Sequence, residues 1–287
     1  MKIGILTGYS PEVLKFAKDA GFGSLQLSTR PGSSLDAEVL LKDPGKAEAI
    51  CLEVEKSGLE ISAFGHYPNH LDPVLSERES HFDYFGKIVD LCALMGVKVV
   101  CTFAGRVPDK GIEENIPLFK EIWSPHAEHA EKKGVKIGFE NCSMMDRFPF
   151  HGINIAYCPE AWDMMFDAVP SMALGLEMDP SHLYWQQIDY VWAVHKYGDR
   201  IYHVHAKDTE VFWDVFKKRG IYSKGQGWWR YRIPGWGGIN WRDFISALID
   251  VGYDGNLDIE HEDPVFSGER KEEGLILGLK HLSQFVF

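Results

Sequence analysis

The sequence predicts a single-domain (β/α)₈ TIM barrel. Three observations carry that prediction: short apolar strand-like segments alternate with helical periodicity from end to end, glycines close the helical runs, and the last four predicted strands each end in a metal-competent side chain. The length of 287 residues suits one such barrel, which takes about 250 residues. No linker, charge block or low-complexity tract divides residues 1–287.

Strands are expected at Lys2–Thr7, Ser24–Ser28, Glu60–Phe64, Lys98–Phe103, Lys136–Glu140, Ala173–Asp179, Ile201–His205 and Asn256–Glu260. Helical periodicity fills the intervals at Pro11–Ala20, Ala47–Ser57, Ser76–Met95, Glu114–Lys133, Pro159–Ala168, Trp185–Tyr197 and Trp241–Val251, with a final helix at Gly268–Leu282. Gly21, Gly58, Gly96, Gly134 and Gly252 each follow a helical run and lead into a strand, as left-handed C-terminal caps do. Strands two to six recur at about 36–38 residues, the spacing of a βα unit. No G-x-G-x-x-G follows the first strand, which argues against a dinucleotide-binding open sheet.

Composition narrows the function. A net charge of −12 argues against nucleic acid as a partner, because phosphate backbones select clustered Lys and Arg. No segment reaches the ~20 apolar residues that span a bilayer. The N-terminus reads as a strand, not a signal peptide, and Cys51, Cys92, Cys101, Cys142 and Cys158 are scattered without a C-x-x-C pair. Both point to a cytoplasmic protein with reduced thiols.

Residues 207–240 break the rhythm and are expected to form a long loop after strand seven, with a short helix near Trp213–Arg219. Trp213, Trp228, Trp229 and Trp236 concentrate there. Such a loop either offers indole faces to sugar rings or buries its own aromatics.

The chemistry gathers at the strand ends. Glu140, Asp179, His205 and Glu260 close the fifth to eighth strands, and active sites of this fold lie at that face of the barrel. Three carboxylates and an imidazole form a hard, oxygen-rich set for one divalent ion, with Mn²⁺ the leading candidate and Mg²⁺, Co²⁺ or Zn²⁺ as alternatives. Each acid taken alone could equally cap a helix or pair with a base. Period-two alternation then turns Glu177, His203 and Asp258 inward, one layer below. Ser62–Asn69 ends strand three, so His66 and Asn69 are candidates to line the pocket, His66 equally a loop hydrogen-bonder, and Phe103 and Trp185 are either pocket walls or plain packing.

The strings Met-Asp-Pro-Ser-His (178–182), His-Val-His-Ala-Lys-Asp (203–208), Arg-Ile-Pro-Gly-Trp-Gly-Gly-Ile-Asn-Trp (232–241) and Gly-Tyr-Asp-Gly-Asn-Leu-Asp-Ile-Glu-His-Glu-Asp (252–263) resemble the sugar isomerase/epimerase superfamily of xylose-isomerase-like barrels. The resemblance spans nearly the whole chain; the sequence is similar to ketose 3-epimerases, to inosose dehydratases and, more remotely, to the AP endonucleases. It implies that Glu140, Asp179, His205 and Glu260 hold the metal and that Glu140 and Glu260 are the catalytic acid–base pair. It also implies substrate contacts from His182 and Arg232, while Lys207-Asp208 is similar to the dehydratase side. Here 27 positions separate His205 from Arg232, far more than in the ketose epimerases.

The resemblance implies a carbohydrate as small-molecule partner and, by analogy, a homo-oligomer. Three functional readings remain open at this point. The first is a metal-dependent epimerase or isomerase of a keto-sugar or related polyol, by proton removal and return beside a carbonyl. The second is a metal-dependent lyase or dehydratase acting on a keto-sugar, keto-glycoside or inosose. The third is a barrel that binds carbohydrate without turnover, which predicts a lost ligand or base, and none is lost.

Overall fold

The computed structural model describes residues 1–144, 152–221 and 227–286. Its barrel strands are β1 (Ile3–Thr7), β2 (Ser24–Ser28), β3 (Glu60–Gly65), β4 (Val99–Thr102), β5 (Lys136–Glu140), β6 (Leu174–Met178), β7 (Ile201–His205) and, after a two-stranded excursion of β8 (Asp208–Val211) and β9 (Trp229–Arg232), β10 (Leu257–Ile259). The outer layer holds α1 (Pro11–Ala20), α2 (Ala37–Lys42), α3 (Pro44–Lys56), α4 (Leu75–Met95), α5 (Ile112–Lys133), α6 (Pro159–Ala168), α7 (Pro180–Trp185), α8 (Tyr190–Tyr197), α9 (Trp213–Arg219), α10 (Trp241–Asp250) and α11 (Lys271–Leu282). Strands pair in the order β1-β10-β7-β6-β5-β4-β3-β2 and close on themselves, all parallel. This is the eight-stranded barrel the alternation predicts.

Local chemistry explains the element ends. Ser10 caps α1 by accepting from the Val13 amide at 3.2 Å, and Gly21 ends it at φ +90°, where a side chain would be strained. The expected single helix over 185–197 is two helices instead. Asp189 accepts from the Trp192 amide at 2.9 Å and starts α8 afresh, while Gln187 takes φ +62°. Asp36 likewise caps α2, which lies in a stretch the sequence reading leaves without an element. No helix among the described residues is long and apolar enough to cross a membrane.

The segment expected as a long loop is an antiparallel hairpin of β8 and β9 with α9 between them; its residues 222–226 lie outside the described ones. It folds on its own aromatics: Trp228 and Trp229 are buried, and Trp229 stacks on Trp185 of α7 with ring centres 4.8 Å apart and planes 6° apart. Trp185 is thereby a packing partner of the hairpin. Trp213 and Trp236 stay exposed.

The barrel interior is polar in one layer. Glu177, His203 and Asp258 are all buried, with His203 Nε2 3.1 Å from Asp258 Oδ2 and 4.0 Å from Glu177 Oε1. Asp258 accepts from Ser24 at 2.7 Å and from Ser62, so its charge is met by donors instead of water. Gly4 makes room for it, since a Cβ there would lie 1.9 Å from Asp258 Oδ1.

Candidate active site

Four strand ends on one side of the mouth deliver the acidic cluster. Glu140 ends β5 and is buried. Asp179 follows β6 and caps α7: its Oδ1 accepts from the Ser181 amide at 2.8 Å. Its Oδ2 is buried with no hydrogen-bond partner, although His182 Nε2 lies 3.3 Å away and Lys207 Nζ 3.1 Å away. One oxygen thus serves the helix and the other is left for the site. Asn141 holds the β5 and β6 ends together, exchanging hydrogen bonds of 2.8 and 2.7 Å with the Asp179 backbone.

His205 ends β7, and its two nitrogens face different partners. Nε2 lies 2.7 Å from Gln26 Oε1 and 2.9 Å from Glu177 Oε1, two acceptors, so Nε2 carries a proton. Nδ1 lies 3.3 Å from Glu140 Oε1 and 3.3 Å from Glu260 Oε2. A lone pair aimed at two carboxylates is repulsive unless a cation or a second proton lies between them. Burial pushes the imidazole pKa down, but Glu177, Glu260 and Glu140 raise it well above the ordinary range. Glu140 shows the counterpart. Burial pushes it up, yet hydrogen bonds from His182 and His205 hold it well below the usual carboxylate range. Glu260, raised by burial but lowered by Lys207, falls to about 2.

Lys207 stands where these acids converge. Its buried ammonium is 2.5 Å from Glu260, 3.0 Å from Glu262, 3.1 Å from Asp179 and 3.1 Å from His182 Nε2, and sits 4.5 Å from the centre of the Tyr231 ring. Burial works against its charge, but Asp179, Glu260 and Glu262 raise its pKa well above that of an ordinary lysine.

The sequence-predicted residues divide accordingly. Glu140, Asp179, His182 and Glu260 each offer one atom within 4.8 Å of the others, and Glu140, Glu177 and His205 form an adjoining group. The histidine sharing a group with all three expected acids is therefore His182, while His205 reaches Glu140 and Glu260 from below. Lys207 joins them. Asp208 does not: its oxygens accept from the amides of Thr209, Ile239 and Gly235 and from Trp241 Nε1, at 2.8–3.0 Å, and latch the 233–241 segment. Arg232 also stands apart. β9 alternates, so Tyr231 faces the acids and Arg232 the other side, paired with Asp263 at 2.8 Å and Glu210 at 2.5 Å. Asn69 is consumed by the Arg106 and Leu71 backbone. His66 lines a separate cleft over β1–β3, with Nδ1 2.9 Å from the Thr29 carbonyl. Phe103 packs on Tyr67, centres 5.2 Å apart.

Three residues join the site that the sequence reading passed over. Tyr231 Oη meets His182 Nδ1 at 2.8 Å. Tyr67 donates to Glu177 at 2.9 Å, and Gln26 bridges Glu177 and His205. Period-two parity on β2 is the signal that marks Gln26, and the sequence reading does not apply it there; nothing comparable marks the two tyrosines.

A family model described as xylose isomerase-like TIM barrel matches residues 14–285. The chain belongs to that family. Among curated relatives, the uncharacterized protein YfiH of Bacillus subtilis is 28% identical over 326 aligned positions, covering 100% of this chain and 99% of that protein. An inosose dehydratase of Clostridium perfringens is 25% identical over 187 positions, 62% of each chain. Solved structures share the fold: a xylose isomerase domain protein from Planctomyces limnophilus (TM-score 0.75, 18% identity, 99% and 96% covered) and the 3-keto-D-glucoside 4-epimerase YcjR of E. coli (0.73, 15%, 99% of both). The IOLI protein, solved with a bound zinc atom, gives 0.73 at 18% identity over 99% of both chains.

Proposed function

We propose that the chain is a divalent-metal-dependent epimerase or isomerase of a keto-sugar or related polyol. The observation that carries this reading is the convergence of Glu140 and Glu260, from β5 and the loop after β10, on one nitrogen of His205 at 3.3 Å each. Two carboxylates brought to one point from the strands that flank β6 and β7 are what removal and return of a proton at one carbon require.

The donor set fits a divalent ion. Asp179 Oδ2 is orphaned, Nδ1 of His205 faces two carboxylates while its other nitrogen is committed as a donor, and the remaining donors are oxygens. Glu140, Asp179 and Glu260 would hold the ion with His205, and His182 stands within the same group. Oxygen-rich ligation suits Mn²⁺, Mg²⁺ or Co²⁺, and the zinc-bearing IOLI structure keeps Zn²⁺ in the set. When bound, the ion polarises the substrate carbonyl and acidifies the neighbouring C–H.

The chain's own residues do the rest. One glutamate takes the C–H proton onto a carboxylate oxygen, and the bonding pair delocalises toward the carbonyl oxygen. Glu260, taking a proton from the Lys207 ammonium 2.5 Å away, delivers it to the opposite face of the same carbon. Lys207, which donates toward His182 Nε2 at 3.1 Å, offers its remaining N–H groups to the oxygen that gains charge. Exchange with solvent resets the two carboxyls.

A second reading is dehydration, favoured by Lys207. A buried ammonium 2.5 Å from Glu260 can hand a proton to a departing hydroxyl, and inosose dehydratases are among the relatives. The test is to incubate the metal-loaded protein in D₂O with a ketose, an inosose and a 3-keto-glucoside and follow product mass. Epimerisation gives an isomer carrying one solvent deuterium. A product lighter by one water establishes the second reading. Loss of the divalent ion without loss of turnover would count against both.

A further inference from the structure

The mouth of the barrel has a second half, away from the acids. A cleft of about 700 Å³ opens over the ends of β1, β2 and β3, lined by Tyr9, Ser28, Thr29, Arg30, His66 and Tyr67 among others. Its chemistry contrasts with the rest of the mouth. No carboxylate lines it among the described residues, and Arg30 supplies its one formal charge, in a chain of net charge −12. The Arg30 guanidinium is exposed and makes no ion pair or hydrogen bond within the described residues; only its carbonyl is engaged, by Ser33 at 2.8 Å. His66, at the same cleft, has its Nε2 buried without a partner.

The cleft and the acidic cluster share a wall. Tyr67 lines the cleft while its hydroxyl donates to Glu177 at 2.9 Å and its ring centre lies 6.4 Å from that of His205. β2 makes the same link. Gln26 points inward to His205, alternation turns Ser28 inward one step higher, and Arg30 follows two residues on, beyond the strand end. Tyr67 and Ser28 thus stand between the acids and Arg30.

We propose that this cleft binds an oxyanion on the substrate end remote from the reacting carbon, so that the substrate is an anionic sugar derivative, a carboxylate or a phosphate, held by Arg30. The inference rests on the sugar-processing reading above. A guanidinium fork donates to two oxygens of either group and binds it far better than a neutral hydroxyl. Ser28 adds a hydroxyl to the lining beside Arg30. The acids at the other half of the mouth disfavour the reversed pose, since they would repel the anion.

The experiment titrates D-glucuronate, D-glucose 6-phosphate and D-glucose by calorimetry into the full chain at low ionic strength, with Arg30→Ala and Arg30→Lys alongside. Binding requires no turnover, so the outcome is read even where the epimerase assignment fails. The expected result is an affinity for at least one anion about tenfold or more above glucose, abolished in Arg30→Ala and partly kept in Arg30→Lys. The ranking of glucuronate against glucose 6-phosphate then tells carboxylate from phosphate. Equal affinities for anion and glucose, an anion preference that survives Arg30→Ala, or no binding of either anion overturns the proposal. Arg30 is exposed, so its replacement leaves the fold intact, checked by an unchanged melting curve.

Discussion

The hydroxyl of Tyr231 lies 2.8 Å from Nδ1 of His182, and the two rings meet edge to face at 78°. His182 Nε2, on the far side of the ring, faces Glu140 at 3.4 Å and Asp179 at 3.3 Å. A residue of the hairpin therefore sets how an imidazole is presented to the acids. Tyr231→Phe keeps the ring under Lys207 and removes only the hydrogen bond, so kcat is expected to fall about tenfold with stability changed by about 1 kcal/mol. A kcat within a factor of two of the parent, measured with unchanged metal content, refutes this role.

On the proposed reading, Glu140→Gln and Glu260→Gln each retain an oxygen for the ion and lose the base. Turnover should drop by about 10²–10⁴ in each while bound metal, measured by elemental analysis, is largely retained. If each glutamate serves one face, a single variant still exchanges the substrate hydrogen of one epimer with deuterated solvent and not of the other. Near-parental turnover in either variant would falsify the two-base assignment.

Asp208 is the latch of the 233–241 segment, and its neighbour Gly237 cannot take a side chain, since a Cβ would lie 2.2 Å from Asp208 Oδ1. Asp208→Ala strands the Gly235 and Ile239 amides and the Trp241 indole without an acceptor. Chemical unfolding should register a loss of about 2–4 kcal/mol. A stability loss confined to a few tenths would mean that the loop reseats on other acceptors.

Acid should destabilise the α4–α5 side of the barrel first. Burial lowers the pKa of His66 to about 4 and of His126 to about 3, and that of His70, buried between them, falls well below the ordinary value. The unfolded chain protonates these imidazoles near pH 6.5, whereas the folded chain resists down to the lowered values. Stability is therefore complete above about pH 6.5 and declines below it, by up to about 1.4 kcal/mol per pH unit for each buried histidine. His126 is 3% exposed, its Nε2 has no partner, and it packs against Phe82 and Phe85, so His126→Phe should flatten the slope by about one proton. An identical slope in urea titrations from pH 7 to pH 5 excludes His126 as a contributor.

Much of the barrel was legible because its signals are local. Apolar runs, glycine stops and period-two alternation act within a few residues, and they brought Glu140, Asp179, His205 and Glu260 to one rim and Glu177, His203 and Asp258 beneath it. The misread positions are those where chemistry alone leaves the partner open. A charged residue just past a strand, such as Asp208, serves a loop as readily as a ligand, and three donors some 30 residues away decide the matter. Arg232 is one register step from Tyr231, and only the pairing of Asp208 with Arg232 across the hairpin reveals which of the two turns toward the acids. Gln26 lies 179 positions from His205, a separation no local pattern encodes.

The hairpin between β7 and α10 carries its own aromatic cluster of Trp228 and Trp229, seated on Trp185, yet it contributes one phenol to the reaction chamber. Its hydrophobic grip is on Trp185 of α7 and not on the barrel strands, so a change at Tyr231 alters what His182 meets while the strand pairing that presents the acids is left as it is.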